Sequence, residues 1–147
     1  MTGSDFMLLK EFSHLLYQIK MVDQKVSKLF EDEVGFSLTR YEMLMILHDK
    51  SPCLQGILQD HLQIDQAAIT RHLQILEEKG YVARKRNPEN NREVIVEMTH
   101  KAISTIDECE AKGSHHHLME LANFSNKEVV ELTSLLEKFD QGLNQIK

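Results

Sequence analysis

The sequence predicts a mainly α-helical fold that carries one small β-hairpin. Three observations lead to this fold class. Apolar residues recur at helical spacing over long stretches near both ends of the chain. Only 2 prolines and 6 glycines interrupt a chain of 147 residues, which favours long helices. One central stretch changes to residues typical of β-strands, and a polar turn divides it.

Segments at the two ends of the chain carry the pattern of helices that pack along other helices. In each segment, apolar residues follow one another at alternating spacings of three and four. The N-terminal seam comprises Leu8, Phe12, Leu15, Ile19, Val22, Val26 and Leu29, and the C-terminal seam comprises Val129, Leu132, Leu136, Phe139, Leu143 and Ile146. A heptad seam is typical of a helix that buries one face against a partner helix. We therefore predict a homodimer, with dimerisation helices at about residues 5–34 and 99–147.

Capping boxes, in which two side chains satisfy free amides of the first turn, mark the start of two helices. Thr39 and Glu42 form the first predicted box, and the helix that it begins runs to about His48. Ser125 and Glu128 form the second, at the start of the helix that carries the C-terminal seam.

A short helix, a tight turn and a longer helix follow the first box. The short helix is predicted from about Leu54 to His61, and the turn lies at residues 62–64. Asp65 is a favourable N-cap for the longer helix, which runs to Lys79 and ends at Gly80. The inward side chains of this helix, at spacings of four and three, are Ile69, Leu73 and Leu76.

The residues after the longer helix are typical of β-strands. Tyr81–Arg86 and Glu93–Met98 are rich in aromatic and β-branched side chains, and Asn87–Asn91 supplies a polar turn between them. A further helix is predicted to begin after Thr99. These strands form the hairpin of the predicted fold.

The charge of the chain is unevenly distributed. The net charge is −6, which by itself argues against a nucleic-acid partner. The stretch from Arg71 to Arg92 nevertheless carries six basic and three acidic residues, whereas residues 1–61 and 102–147 are both net negative. A basic centre between acidic flanks is compatible with double-stranded DNA as a partner.

The order of short helix, tight turn, capped helix and hairpin predicts a winged helix-turn-helix over about residues 38–98. In this motif the second helix fits the major groove of B-DNA and the first helix crosses over it. The outward side chains of the second helix suit the reading of base edges, and they are Gln66, Ala67, Thr70, Arg71 and Gln74. The hairpin is expected to bring five more residues to phosphates or to the adjacent minor groove, namely Arg84, Lys85, Arg86, Asn91 and Arg92.

Two stretches within this region resemble the core of MarR-type bacterial transcriptional regulators. They are Leu62-Gln63-Ile64-Asp65-Gln66-Ala67-Ala68-Ile69-Thr70-Arg71-His72-Leu73 and Leu76-Glu77-Glu78-Lys79-Gly80-Tyr81-Val82-Ala83-Arg84. The resemblance extends over nearly the whole chain and implies one MarR-type domain over residues 1–147. It implies a ligand-responsive homodimeric repressor that binds an inverted-repeat operator. It also implies DNA contacts for Thr70 and Arg71, and entry of Arg92 into the minor groove.

The chain departs from the family pattern at several positions, including Gln59, where alanine is common, and Ala102, where glycine is frequent. The family usually carries Asp two places before the wing arginine, where this sequence has Asn90, and Gln63 stands where the turn often has glycine. The change to Asn90 removes a charge that would orient Arg92.

The resemblance also implies an effector between the dimerisation helices and the winged domain. The predicted wall of this pocket consists of Leu15, Ile19, Tyr41, Met45 and His48. Apolar surfaces with one hydroxyl and one imidazole suit a small aromatic acid or phenol. The alternative is that these side chains close the core of the protein.

Zinc or redox sensing on the same scaffold is the alternative function. Relatives that sense zinc use acids and histidines beside the winged domain, and the matching candidates are Glu42, His115, His116 and His117, with Cys109 as a further candidate. Consecutive histidines on a helix point in different directions, and Met43 stands where a ligand histidine is expected. We therefore predict no metal and no cofactor. Cys53 has uncharged sequence neighbours and is predicted to be an inert thiol.

Several classes of protein are not expected. The chain has no apolar run of the ~18 residues that cross a bilayer, and its first residues do not form a secretory signal. Two distant cysteines do not build a disulfide framework, so a cytoplasmic location is expected. No grouping of catalytic side chains is evident, and we predict that the protein is not an enzyme.

Overall fold

Helices dominate the structure, a computed structural model that describes residues 8–112, 118 and 120–146. The chain divides into a first unit that ends at Ala111 and a second that begins at Lys112. The single domain over residues 1–147 stays a prediction. Among the helices in the described ranges, none combines the length and apolar composition needed to span a lipid bilayer.

The elements follow the predicted order, and the mainly α-helical fold with a small β-hairpin is confirmed. The first unit contains α1 (Leu9–Val34), α2 (Leu38–Lys50), β1 (Cys53–Leu54), α3 (Gln55–Leu62), α4 (Gln66–Glu78), β2 (Val82–Asn87), β3 (Asn90–Met98) and α5 (His100–Ala111). The second unit contains α6 (Asn126–Asn144). Helices α3 and α4 form the helix-turn-helix, and the hairpin of β2 and β3 is the wing.

The sheet is antiparallel, with strand order β1-β3-β2. In the wing Asn87 lies opposite Asn90, so that the turn consists of Pro88 and Glu89 and is shorter than predicted. Strand β1 was not predicted from the sequence, because two residues are too few to show an alternating pattern.

The predicted start of α2 is wrong. The N-cap is Ser37, whose extended backbone leaves its hydroxyl Oγ free to accept a hydrogen bond from the Arg40 amide at 3.2 Å. The helix consequently begins at Leu38. Thr39 and Glu42 lie inside the helix and do not form the predicted capping box.

Three other predicted helix ends are confirmed. The Asp65 carboxylate accepts a hydrogen bond from the Ala68 amide at 2.7 Å and thereby caps α4. Gly80 follows α4 with a φ of 83°, a left-handed conformation that glycine adopts without steric cost. Ser125 and Glu128 exchange hydrogen bonds of 3.2 and 3.1 Å at the start of α6.

The core of the first unit fixes the orientation of α4. The predicted inward residues Ile69, Leu73 and Leu76 are 0%, 0% and 1% exposed. They pack with buried side chains from α2, α3, α5 and the wing, namely Met43, Leu44, Leu47, Leu58, Val82, Val96, Met98, Ala102 and Ile106. Because one face of α4 is buried against this core, its opposite face points outward.

Gln63, between α3 and α4, adopts a left-handed backbone conformation with a φ of 56°. A side chain with a Cβ atom is strained there, whereas glycine is not. We expect Gln63→Gly to raise the free energy of unfolding by about 1 kcal/mol in urea denaturation. Gln59→Gly, inside α3, is the matched control and should lower it by about 1 kcal/mol. A loss of stability in both variants would contradict the prediction.

Candidate nucleic-acid interface

The outward face of α4 carries the residues predicted to read DNA. We call this surface the recognition face; all five of its members are exposed, and they are Gln66, Ala67, Thr70, Arg71 and Gln74. None of them is acidic, and Arg71 lies near the centre of the helix. The buried face beneath them holds this surface rigidly, as major-groove reading requires.

A hydrogen bond that the sequence pattern did not indicate joins α3 to the recognition face. Nε2 of Gln55, the first residue of α3, donates to Oγ1 of Thr70 at 3.1 Å. The two residues are 15 positions apart, so that only the folded helix-turn-helix brings them together. Gln55 is a candidate functional residue that sequence reasoning missed.

A second contact joins α2 to α4. Nη1 of Arg40 lies 3.3 Å from Nδ1 of the half-buried His72 imidazole. Arginine is always a donor, so the contact requires an unprotonated Nδ1. Burial lowers the pKa of His72 below its ordinary value, and the positive charges of Arg40 and Arg71 lower it further.

This shift predicts a pH-dependent stability. Because the unfolded chain binds a proton at His72 more readily than the folded chain, the free energy of unfolding should fall as the pH drops below the ordinary pKa of 6.5. The free energy of unfolding continues to fall until the pH is below the pKa of His72 in the folded protein. His72→Gln keeps an acceptor for Arg40 and should show a smaller loss in urea unfolding at about pH 7.5 and about pH 5.5. An equal loss of stability in the wild type and in His72→Gln would show that other titratable groups cause the pH dependence.

Arg84 in the wing is engaged by α4. Its Nη2 donates to Oε1 of Glu77 at 3.0 Å, and its backbone amide donates to the other oxygen at 3.1 Å. These bonds lower the pKa of the Glu77 carboxyl. The Arg84 side chain is only 21% exposed, and Glu77 engages the guanidinium that the sequence predicted would meet a phosphate. The ion pair fixes the wing to the end of α4 instead.

The other predicted wing residues, Lys85, Arg86, Asn91 and Arg92, are exposed. Arg86 Nη1 donates to the Asn91 carbonyl at 2.8 Å. Asn90 accepts a hydrogen bond from the Arg92 backbone amide at 3.1 Å, so that it orders the loop rather than the guanidinium. Within the described ranges, the Arg92 guanidinium has no hydrogen bond or ion pair.

The wing and the helix-turn-helix line a common surface groove. The groove has a volume of about 370 Å³, and Gln55, Gln66, Arg92 and Glu93 contribute to its lining. Gln66 begins the recognition face and Arg92 belongs to the wing. The two predicted DNA-contacting elements therefore border one surface.

The predicted effector wall is divided between packed and exposed side chains. The Tyr41 ring packs edge-on against Phe30 and Phe36, with ring centroids 5.4 and 5.8 Å apart. Burial raises the pKa of Tyr41, and the nearby Cys109 and Glu110 raise it further. Of the others, Met45 packs against the core, whereas Leu15, Ile19 and His48 are exposed. The contacts of Tyr41 and Met45 are those of residues that close the core.

Two of the five candidate metal ligands, Glu42 and Cys109, lie within the described residues. Glu42 is exposed on α2, Cys109 is half-buried on α5, and Met43 is fully buried in the core. His115, His116 and His117 lie outside the described residues. In the described part of the chain, no three His, Cys, Asp or Glu side chains are grouped as a metal site requires.

Cys53 in β1 has the environment of an inert thiol. Burial raises its pKa, and Lys50 offsets only part of this effect. A higher pKa leaves less thiolate at neutral pH, and thiolate is the form that reacts with oxidants. Redox sensing by Cys53 is therefore not favoured.

Comparison with known proteins places this architecture in a family. The model of the MarR family matches residues 36–94. An uncharacterized HTH-type transcriptional regulator of Bacillus subtilis (strain 168), YdgJ, is 34% identical over 137 residues, which are 93% of this chain and 84% of YdgJ. The chain belongs to the MarR family. This membership identifies it as a DNA-binding transcriptional regulator and confirms the prediction that it is not an enzyme.

Other MarR-family proteins are similar over most of the chain. The multiple antibiotic resistance protein MarR of Salmonella typhimurium is 28% identical over 124 residues, which are 82% of this chain and 86% of that protein. The crystal structure of a mutant MarR from E. coli complexed with operator DNA superposes with a TM-score of 0.75 at 27% identity. The match covers 91% of this chain and 99% of that structure.

Proposed function

We propose that this MarR-family protein is a homodimeric repressor that reads an inverted-repeat operator through α4 and the wing. The observation that carries the proposal is the recognition face, which is exposed and free of acidic residues directly above a fully buried core face. The similarity to a MarR that was crystallised with operator DNA supports the same use of the surface.

The side chains divide into three roles in this proposal. Arg71 reads guanine through a bidentate contact, and Gln66, Ala67, Thr70 and Gln74 contact neighbouring base edges. Lys85 and Arg86 bind phosphates, while Asn91 and Arg92 reach the adjacent minor groove. Arg84 holds the wing against α4 through Glu77 and does not bind a phosphate itself.

Exposed apolar seams support the homodimer. Helices α1 and α6 bury none of their residues within the single chain. On these seams Phe12, Ile19 and Leu136 are 40%, 41% and 51% exposed. A stripe of apolar side chains over a whole helix is typical of a surface covered by a partner helix, and the repeat on both helices favours a second copy of this chain. A two-fold axis then spaces the recognition helices about one DNA turn apart.

Selection of bound DNA from a random pool tests the proposal most directly. The expected result is an inverted repeat whose half-sites lie about one helical turn apart. Sedimentation should show a dimer at micromolar concentration. A selected site without two-fold symmetry, or a monomer that binds with full affinity, would overturn it. A reporter under the selected operator should be repressed by the protein, in the cytoplasm where we place it.

A small aromatic effector completes the proposal. An effector disables DNA binding only if it binds the non-binding form more tightly than the binding form. We expect salicylate to lower the operator affinity of the wild type. If affinity instead ignores salicylate and responds to zinc or peroxide, the alternative of metal or redox sensing is correct.

A further inference from the structure

Gln55 makes a contact whose consequence for DNA reading lies in the hydrogen-bonding capacity of a hydroxyl group. A threonine hydroxyl has one proton to donate and two lone pairs that accept. The 3.1 Å bond from Gln55 Nε2 occupies one lone pair of Thr70 Oγ1. The single hydroxyl proton of Thr70 then remains available for donation to another acceptor.

Two other threonines inside helices donate this proton to their own backbone. Thr105 donates to the Lys101 carbonyl and Thr133 donates to the Val129 carbonyl, four residues earlier and at 2.8 Å in both cases. Such back-bonding is the usual local partner of a hydroxyl in a helix. Among the described residues, Thr70 has no corresponding acceptor, and its side chain is exposed on the recognition face. Its proton is therefore available to a ligand of this surface.

The donor to Thr70 belongs to a different helix from Thr70. Gln55 is half-buried at the beginning of α3 and lines the groove between the helix-turn-helix and the wing. A hydroxyl whose oxygen already accepts a hydrogen bond is a stronger donor, because chains of hydrogen bonds polarise one another. Gln55 thus determines both the direction and the strength with which Thr70 donates.

We propose that Gln55 is a specificity-determining residue, which makes Thr70 a hydrogen-bond donor to an acceptor atom on a base edge in the major groove. Guanine N7 and O6, adenine N7 and thymine O4 are such acceptors, whereas cytosine presents only the N4 donor. Gln55 acts on the operator through Thr70 and not by touching the same base. The inference depends on the proposed function, in which the recognition face reads the operator.

Two substitutions at Gln55 separate this role from general support of the fold. Gln55→Leu removes the donor at similar size, so that the Thr70 hydroxyl can rotate. We expect the preference for an acceptor-bearing base over cytosine at one position of each half-site to fall about 5- to 10-fold, within the range of one base contact. The carboxylate in Gln55→Glu can only accept, so the Thr70 hydroxyl donates its hydrogen bond to this carboxylate. The lone pairs of the Thr70 oxygen then point toward DNA. That variant should shift the same position toward cytosine or adenine.

The measurement is random-pool selection with each full-length variant, followed by affinities for operators that differ at the affected position. In a Thr70→Val background, Gln55→Leu should have no further effect on the base preference at that position, because the hydroxyl through which Gln55 acts is absent. Gln59→Leu, one turn further along α3, is the matched control and should keep the wild-type preference. Thermal unfolding verifies that every variant is folded.

The outcomes distinguish this inference from the function on which it depends. A wild type that selects no site overturns both. A wild type that selects an inverted repeat, together with Gln55→Glu that keeps the same preferences, overturns only the role of Gln55. An equal effect of Gln55→Leu with and without the Thr70 hydroxyl, or a uniform loss over all sequences, also overturns it, since Gln55 would then contact DNA directly or through a phosphate.

Discussion

Replacing Leu136 with Glu is expected to convert the protein to a monomer and to weaken operator binding by about two orders of magnitude or more. Leu136 lies in the C-terminal seam on α6 and is 51% exposed in the single chain. In a two-fold dimer the substitution places a carboxylate in each apolar interface, where burial of an unpaired charge is costly. A monomer engages one half-site and loses the gain of binding both halves together.

Val130→Glu is the matched control for this prediction. Val130 lies on the same helix, is 68% exposed and falls outside the seam, so the same charge should leave the dimer intact. Sedimentation at micromolar concentration and operator titration measure the two consequences separately. A Leu136→Glu protein that remains dimeric would show that the seam is not the dimer interface.

Replacing Arg71 with Ala is expected to reduce operator affinity about 10- to 100-fold, which corresponds to roughly 1–3 kcal/mol. Arg71 is exposed at the centre of the recognition face, and its guanidinium matches the two acceptors of guanine. The loss should be confined to operators with guanine at the contacted position. Random-pool selection with the variant should therefore return sites in which that position is degenerate.

Arg86→Ala provides the contrast, because Arg86 is proposed to bind a phosphate. Its loss should weaken binding to all sequences alike and reduce the slope of log affinity against log salt by about 0.9. Arg84→Ala should act differently from both, since it breaks the ion pair to Glu77 that fixes the wing. Equal loss of base preference for Arg71→Ala and Arg86→Ala would show that the roles are assigned wrongly.

Local patterns in the sequence were sufficient to predict most of the fold. The cap at Asp65, the left-handed Gly80 and the buried face of α4 depend on residues within one or two turns, and all agree with the structure. The error at Ser37 has a local cause as well. Two hydroxyl residues lie two positions apart, and only the backbone conformation decides which one caps the helix.

The contacts between elements at the candidate site could not be predicted from such local patterns. Arg84 pairs with Glu77, Gln55 with Thr70, and Arg40 with His72 across 32 residues, all between different elements. A list of basic residues on a hairpin cannot distinguish a free arginine from one already paired. The folded geometry is needed to separate side chains that meet DNA from side chains that position them.

The asparagine at the wing tip has a thermodynamic consequence. Asn90 holds the backbone of Arg92 and leaves the guanidinium unrestrained before DNA arrives. Immobilising a long side chain costs up to about 2 kcal/mol of rotamer entropy, and here the whole cost falls on the binding step. A loosely held arginine can in return follow minor grooves of different width, since width varies with sequence. In the proposed complex, such a wing would tolerate sequence changes at the edges of an operator and would bind each individual sequence less tightly.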